Sequence, residues 1–324
     1  MSSPRSSSLL AWPAAKPSRA RRPPATHGER RRTGLRRKLK ENLTAYGLLC
    51  AALVVFAVFS WYPIVRGVLL SFQQVDFVNA PTWVGFGNFA KLFDDPLFGD
   101  AWRNTLLFTG LALVFGFAVP FFTAVLLNEL RHAKAFFRLA VYLPVMLPPV
   151  VTALMWKWFY DPGPGLFNSA LGAAGLPGGQ WLDSSGTAML SLVFVSTWAN
   201  MGGTTLIYLA ALGTIPGELY EAAELDGAGL WKRLRHVTFP QTRFVLLVLL
   251  LLQIVATMQV FTEPYVMTGG GPDDSTVTVL LLLYRYAFVY NDFGSASAMS
   301  LLLFAALGVF SAWYVRLTRK ADQS

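Results

Sequence analysis

The chain reads as an all-α polytopic membrane protein with six transmembrane helices and both termini in the cytoplasm. Two observations carry that expectation. Apolar residues make up 54% of the sequence and fall in blocks, where a soluble protein of this length interleaves them. Lys and Arg, in turn, are distributed very unevenly between the segments that join the blocks.

A run of about 20 apolar residues spans a hydrocarbon core about 30 Å thick. Six such runs are present: Ala45–Val65, Thr105–Leu127, Leu139–Trp156, Ala188–Leu212, Phe244–Thr262 and Ala296–Val315. Proline in the third run (Pro144, Pro148, Pro149) predicts a kink or an irregular start, because proline removes a donor and clashes with the preceding turn. The segment Val277–Leu283 is too short to span before Arg285 interrupts it. It is expected to form an amphipathic or buried extracytoplasmic helix, with a re-entrant segment as the alternative.

Of the 27 Lys and Arg, 22 fall before the first run, between the second and third, around a Gly-centred loop after the fourth, and in the tail. The other five are Arg66, Lys91, Arg103, Lys157 and Arg285. Basic residues mark cytoplasmic loops, so both termini and the Gly-centred loop belong inside. The same clustering explains the net charge of +9 without nucleic acid. Residues 1–42, rich in Ser, Pro and Arg, lack the hydrophobicity to fold and read as a disordered basic cytoplasmic leader beside membrane lipid. In the connection after the first run, Phe72, Phe77, Trp83, Phe86 and Phe89 are expected to anchor the chain at the membrane face.

Several chemistries are missing. No ionisable residue lies within the six runs, Lys157 and Glu263 sitting at their ends. Proton-coupled carriers keep such groups in the membrane. No Gly-x-x-x-x-Gly-Lys-Ser/Thr sequence is present to bind ATP. His27, His132 and His236 lack metal-ligand spacing, no Gly-x-Ser-x-Gly elbow occurs, and Cys50 is the lone cysteine. The chain thus reads as a non-enzyme without a metal or cofactor of its own.

The most informative segment is the charged island Tyr220–Pro240. It opens with acids (Glu218, Glu221, Glu224, Asp226), turns on Gly227 and Gly229, and closes with Lys232, Arg233 and Arg235. Acids at a helix start and bases near a helix end complement helix dipoles. Two helices of about two turns each are marginal alone in water, so the pair is expected to dock against something.

Glu221-Ala222-Ala223, then Gly227, then Val237-Thr238-Phe239-Pro240 resembles the EAA loop of ABC importer permeases. Asp226-Gly227-Ala228 and Thr268-Gly269-Gly270-Gly271-Pro272 resemble the carbohydrate-uptake branch, of the maltose and glycerol-phosphate type. The resemblance covers residues from Ala101 to the C-terminus and implies a type I ABC importer permease fold in a bacterial inner membrane. The apolar runs and charges give a first helix and extracytoplasmic loop at 43–100, and the resemblance implies a permease core at 101–316 with its coupling loop at 216–240 and a tail at 317–324. Glu221, Ala222, Ala223, Asp226, Gly227 and Pro240 would then couple the chain to an ATPase dimer, which binds ATP and Mg. The other implied partners are a second homologous permease and an extracytoplasmic solute-binding protein. The implied cargo is a sugar or a glycerol-phosphate-like solute moved by alternating access. The alternatives are another small solute or an ion-coupled carrier.

Neutral polar residues in the runs are candidates for the substrate pathway: Trp198, Asn200, Gln253, Thr257 and Gln259. Gln253, Thr257 and Val260 share a helical face, Gln259 and Glu263 form a neighbouring stripe, and Gly202-Gly203 is a place for the fourth helix to bend. The competing role is interhelical hydrogen bonding, worth about 0.6–2 kcal/mol per bond. Glu263 is expected to face water at the extracytoplasmic mouth. The topology is checked by reporter fusions after Ser324 and within Asp273–Ser275. The first is expected on the cytoplasmic side and the second outside; a C-terminal reporter active only outside the cytoplasm contradicts it.

Overall fold

The structure is a computed structural model that describes residue 42 and residues 45–76, 78–130 and 132–321, with side chains through Thr318. The basic leader, Phe77, Arg131 and the last three residues lie outside the described residues. Two compact units divide the chain, Met1–Pro63 and Ile64–Ser324. The first holds most of helix α1 (Ala45–Leu70), which carries a π turn at Ala57–Trp61. Phe56, Phe59 and Trp61 on it are exposed, as suits a helix in lipid.

In the second unit, a two-residue antiparallel ladder pairs β1 (Gln73–Gln74) with β2 (Thr82–Trp83). Helix α2 (Gly87–Asp94) follows, then the long α3 (Pro96–Glu129). Asp95 starts α3 by accepting the Leu97 N–H at 2.9 Å, with Pro96 just inside the first turn where its missing donor costs nothing. This cap extends the second apolar helix two turns upstream of the expected Thr105.

The third run is interrupted where its prolines predict, as two helices bent by 99°. Helix α4 (Lys134–Tyr142) runs into a 3-10 turn at Leu143–Met146, and α5 (Pro149–Phe159) restarts beyond it. Leu147 and Pro148 both have extended backbones, as a residue preceding proline prefers. After the short α6 (Leu166–Ala173), α7 (Ala188–Leu212) is continuous through Gly202-Gly203. The expected bend there is absent. A Cβ on Gly202 would meet the Val141 carbonyl oxygen at 2.5 Å, so this glycine lets α7 lie directly on α4.

Helix α8 (Gly217–Leu225) leads to α9 (Leu230–Thr257), the latter carrying a π turn at Leu234–Thr238. Val279–Val289 forms α10, and α11 (Phe293–Ala321) closes the chain. Among the described residues, five helices are long and apolar enough to span a membrane, or six if the bent α4–α5 pair counts as one. The segment around Val277–Leu283 is the buried helix expected, with Val277, Val279 and Leu282 fully enclosed.

Three core clusters follow one another along α3. Ala101 joins Leu92, Val279, Leu282 and Met299; Phe108 and Ala112 join Trp156, Leu192 and Val193; Phe121, Ala124 and Leu127 join Tyr208, Leu212 and Leu234. At the first, the β ladder and α2 are tied to α10 and α11. Asn88 donates to the Ser71 and Gln73 carbonyls at 2.9 Å, and Phe72, Phe86 and Phe89 form a ring triangle. Trp83 stays exposed. Tyr286 donates its hydroxyl to Asp95 Oδ2 at 2.5 Å. Lys91 pairs with Asp292 at 2.5 Å. Burial acts to raise the Asp292 carboxyl, but Lys91 and two bonds from Ser295 hold it below the ordinary carboxylate range.

The Gly-rich loop before α10 is fastened from two sides. Arg285 donates to the Gly269 carbonyl at 2.9 Å and pairs with Asp274, while buried Asn104 of α3 donates to the Asp274 and Val277 carbonyls at 3.0 and 3.1 Å. Asn104→Leu strands those two acceptors, each costing about 1–3 kcal/mol where water cannot replace the donor. Thermal unfolding in detergent is expected to show a clearly lowered midpoint; an unchanged midpoint would show that the loop is not held by Asn104.

Candidate functional site

Two features beyond the scaffold stand out, the exposed α8–α9 corner and a cavity in the helix bundle.

The corner is a built helix stop. Gly227 has φ +72°, Gly227 N–H bonds the Glu224 carbonyl at 3.0 Å, and Ala228 N–H bonds the Ala223 carbonyl at 2.9 Å. This pair of bonds is the Schellman closure, which needs a left-handed residue between its partners. Tyr220 reaches Thr238 at 3.1 Å between hydroxyl oxygens, Arg233 pairs with Glu224, and Leu234 is buried with Phe121 and Leu212. The corner is thereby fixed to the bundle by its inner face.

Its outer face carries Glu221, Ala222, Asp226 and Gly227, all exposed, while Ala223 is half-buried. Leu225 is 90% exposed and Trp231 72%. Sequence reasoning missed these two apolar groups; the signal was two large apolar residues within a charged segment that cannot enter lipid.

The structure corrects the expected pair of short helices. Only α8 is short, and the basic half, Leu230 onward, is the first part of the 28-residue α9. Pro240 does not start a separate helix. The π turn closes with the Phe239 N–H on the Leu234 carbonyl, and this one-residue shift in hydrogen-bond register lets the helix run past a residue that has no donor.

The cavity has a volume of about 580 Å³ and is lined by α3, α7, α9 and the segment after it. Asn200, Gln253, Thr257 and Gln259 all line it, as do Ser196 and Thr197. Gln253 Nε2 lies 3.4 Å from the Ala112 carbonyl of α3, and a Cβ on Gly116 would stand 2.6 Å from that nitrogen. Gly116 therefore makes the room that Gln253 occupies. Thr257 donates back to the Gln253 carbonyl at 2.8 Å, Asn200 to the Ser196 carbonyl at 2.8 Å, and Gln259 to the Val255 carbonyl at 2.9 Å. Trp198 lies elsewhere, edge-on to Trp156 at 5.3 Å between ring centroids.

Two further expectations fail at the end of α9. The helix stops at Thr257, so Val260 does not continue the Gln253–Thr257 face and Gln259 and Glu263 do not form a helical stripe. The Val260 carbonyl is taken instead by the Thr278 hydroxyl at 3.1 Å. Glu263 is half-buried in the cavity wall and accepts a hydrogen bond from Ser196 rather than facing open water. Burial raises its pKa, with hydrogen bonds from its own backbone and from Ser196 acting the other way. Among the described residues, no group of His, Cys, Asp and Glu is placed to hold a metal ion.

Residues 116–323 match the family described as binding-protein-dependent transport system inner membrane component. The chain is 38% identical to the ABC transporter permease protein YurN of Bacillus subtilis, covering 81% of this chain and 91% of that one. It is 33% identical to the diacetylchitobiose uptake system permease protein NgcF of Streptomyces coelicolor, covering 93% and 89%. Its fold is similar to a chain of a bacterial ABC transporter involved in the import of the acidic polysaccharide alginate, with TM-score 0.79, 25% identity, and 88% and 98% of the two chains covered. The chain belongs to the inner-membrane permease family of binding-protein-dependent ABC transporters.

Proposed function

We propose that this chain forms half of the membrane passage of an importer for a sugar or a glycerol-phosphate-like solute. Its partners would be a second permease, an ATPase dimer that binds ATP and Mg, and an extracytoplasmic solute-binding protein. The chain supplies no chemical step. It presents the α8–α9 corner to the ATPase on the cytoplasmic side, where both termini also lie, and it offers hydrogen-bonding groups to the solute in the cavity.

The observation that carries this reading is the continuity of α9. One helix holds the basic arm that flanks the corner and, at its far end, Gln253 and Thr257 of the cavity wall. A displacement of the corner by the ATPase is therefore delivered to the cavity as alternating access. The exposed Leu225 and Trp231 supply the apolar contact and Glu221 the charge for docking. The sugar reading is supported by the amide and hydroxyl lining and by the relative named for diacetylchitobiose uptake.

Leu225→Asp removes apolar burial worth about 1.5–3 kcal/mol, so ATPase co-purification is expected to weaken by about 10-fold or more. Glu221→Lys reverses the charge presented on α8 and acts in the same direction. Gly227→Ala meets no atom within 4 Å but pays about 1–2 kcal/mol for its left-handed backbone, so a milder loss is expected. All three variants insert, because none lies in a span. Wild-type uptake and co-purification in Leu225→Asp and Glu221→Lys would reject the corner as the coupling element.

A further inference from the structure

We propose that Glu263 makes the passage selective against anions, so that the solute is an uncharged or cationic sugar rather than a sugar phosphate, sulfonate or uronate. The inference rests on the reading of the cavity as the solute passage and narrows its substrate class.

The lining of the 580 Å³ cavity is amide, hydroxyl and apolar except for one ionisable group, Glu263. No Lys, Arg or His is among the lining residues. Anions are held by Arg or Lys forks, or by the unpaired N–H groups of a helix N-terminus. The helix N-terminus at hand is that of α5, where Pro149 has no N–H to give and the Thr152 N–H is taken by the Pro148 carbonyl at 3.1 Å, which leaves the N–H groups of Val150 and Val151. Glu263 stands with that terminus in a second, smaller cavity of about 70 Å³, which also shares Asn200 with the first. The positive end of the α5 dipole thus shares that cavity with a carboxyl group of the protein itself. An incoming anion would find no Lys, Arg or His on this chain's wall and would meet Glu263 in a partly desolvated setting, where like charges repel more strongly than in water. Sugar hydroxyls and ammonium groups, by contrast, donate to a carboxylate. Glu263, Ser196 and Asn200 form an acceptor-rich edge suited to such donors.

Cys50 is the only cysteine, so Cys50→Ala gives a chain without thiols into which Ala256→Cys places one on the cavity wall. In the assembled importer this thiol is treated with three methanethiosulfonates at about pH 8 and again at about pH 9, because burial raises Glu263 above the ordinary carboxylate range and the proposal concerns its ionised form. One carries trimethylammonium, one a hydroxyl and one a sulfonate. Modification is followed by the intact mass of this chain, and rates are normalised to those with 2-mercaptoethanol. The cationic reagent is expected to react at least about tenfold faster than the anionic one. Glu263→Gln should collapse that preference, and Glu263→Asp, which keeps the charge, should retain it. Equal normalised rates in the parent, faster reaction of the anion, or a preference that survives Glu263→Gln would each overturn the proposal while leaving the passage intact. Failure of all three reagents to react would overturn the passage reading, and the proposal with it.

Discussion

The continuity of helix α9, Leu230 to Thr257, is what the proposed passage depends on. At one end it carries Trp231, Lys232 and Arg233 beside the capped corner, and at the other Gln253 and Thr257 in the cavity. A helix transmits displacement along its axis because every internal N–H is committed to a carbonyl of the same rod. Pro240 threatens that rod by removing a donor. The π turn at Leu234–Thr238 shifts the ladder by one residue at that place, and buried Leu234 and Thr238 hold the turn against α3 and α8.

The other breaks obey the rule that backbone groups in a membrane must be satisfied within the protein or face a water-filled cavity. At Leu147–Pro148 two extended residues separate α4 from α5, and the exposed turn borders the smaller cavity. Beyond Thr257 the chain is irregular, and the Val260 carbonyl is covered by Thr278. Both breaks meet at the cavity, so its polar character comes from interrupted helices as much as from side chains. The fastened end, with Asn104, Arg285, Asn88 and Lys91 each joining distant segments, gives these breaks a stiff frame.

Much of this was legible in the sequence. Long apolar runs register directly as spans, and the helix stop at Gly227 follows from a glycine placed after an acid-rich turn. Asn200, Gln253, Thr257 and Gln259 reach one cavity, because polar groups in apolar helices gather where the bundle is wet or self-paired. What failed depended on tertiary context. Pro240 reads as a helix start, and nothing local reveals that a π turn absorbs it. Glu263 reads as a mouth residue only if α9 continues to it; the break at Met258 turns it into the wall. Trp198 shares a helix with Asn200, yet the facing Trp156 draws it into the core. Leu225 could be judged exposed only once α8 was seen to meet the bundle through half-buried Tyr220 and Ala223.

The central claim is that α9 moves as one rod between the corner proposed to meet the ATPase and the cavity. Spin labels at Lys232 and Ala256 test it most directly, in the assembled importer with and without ATP. A rise of about 1.5 Å per residue places the two backbones about 36 Å apart. The account predicts that this distance stays within about one residue's rise in both states. A change of about 5 Å, a full helical turn, would mean that α9 bends or melts between the two ends and would contradict the account.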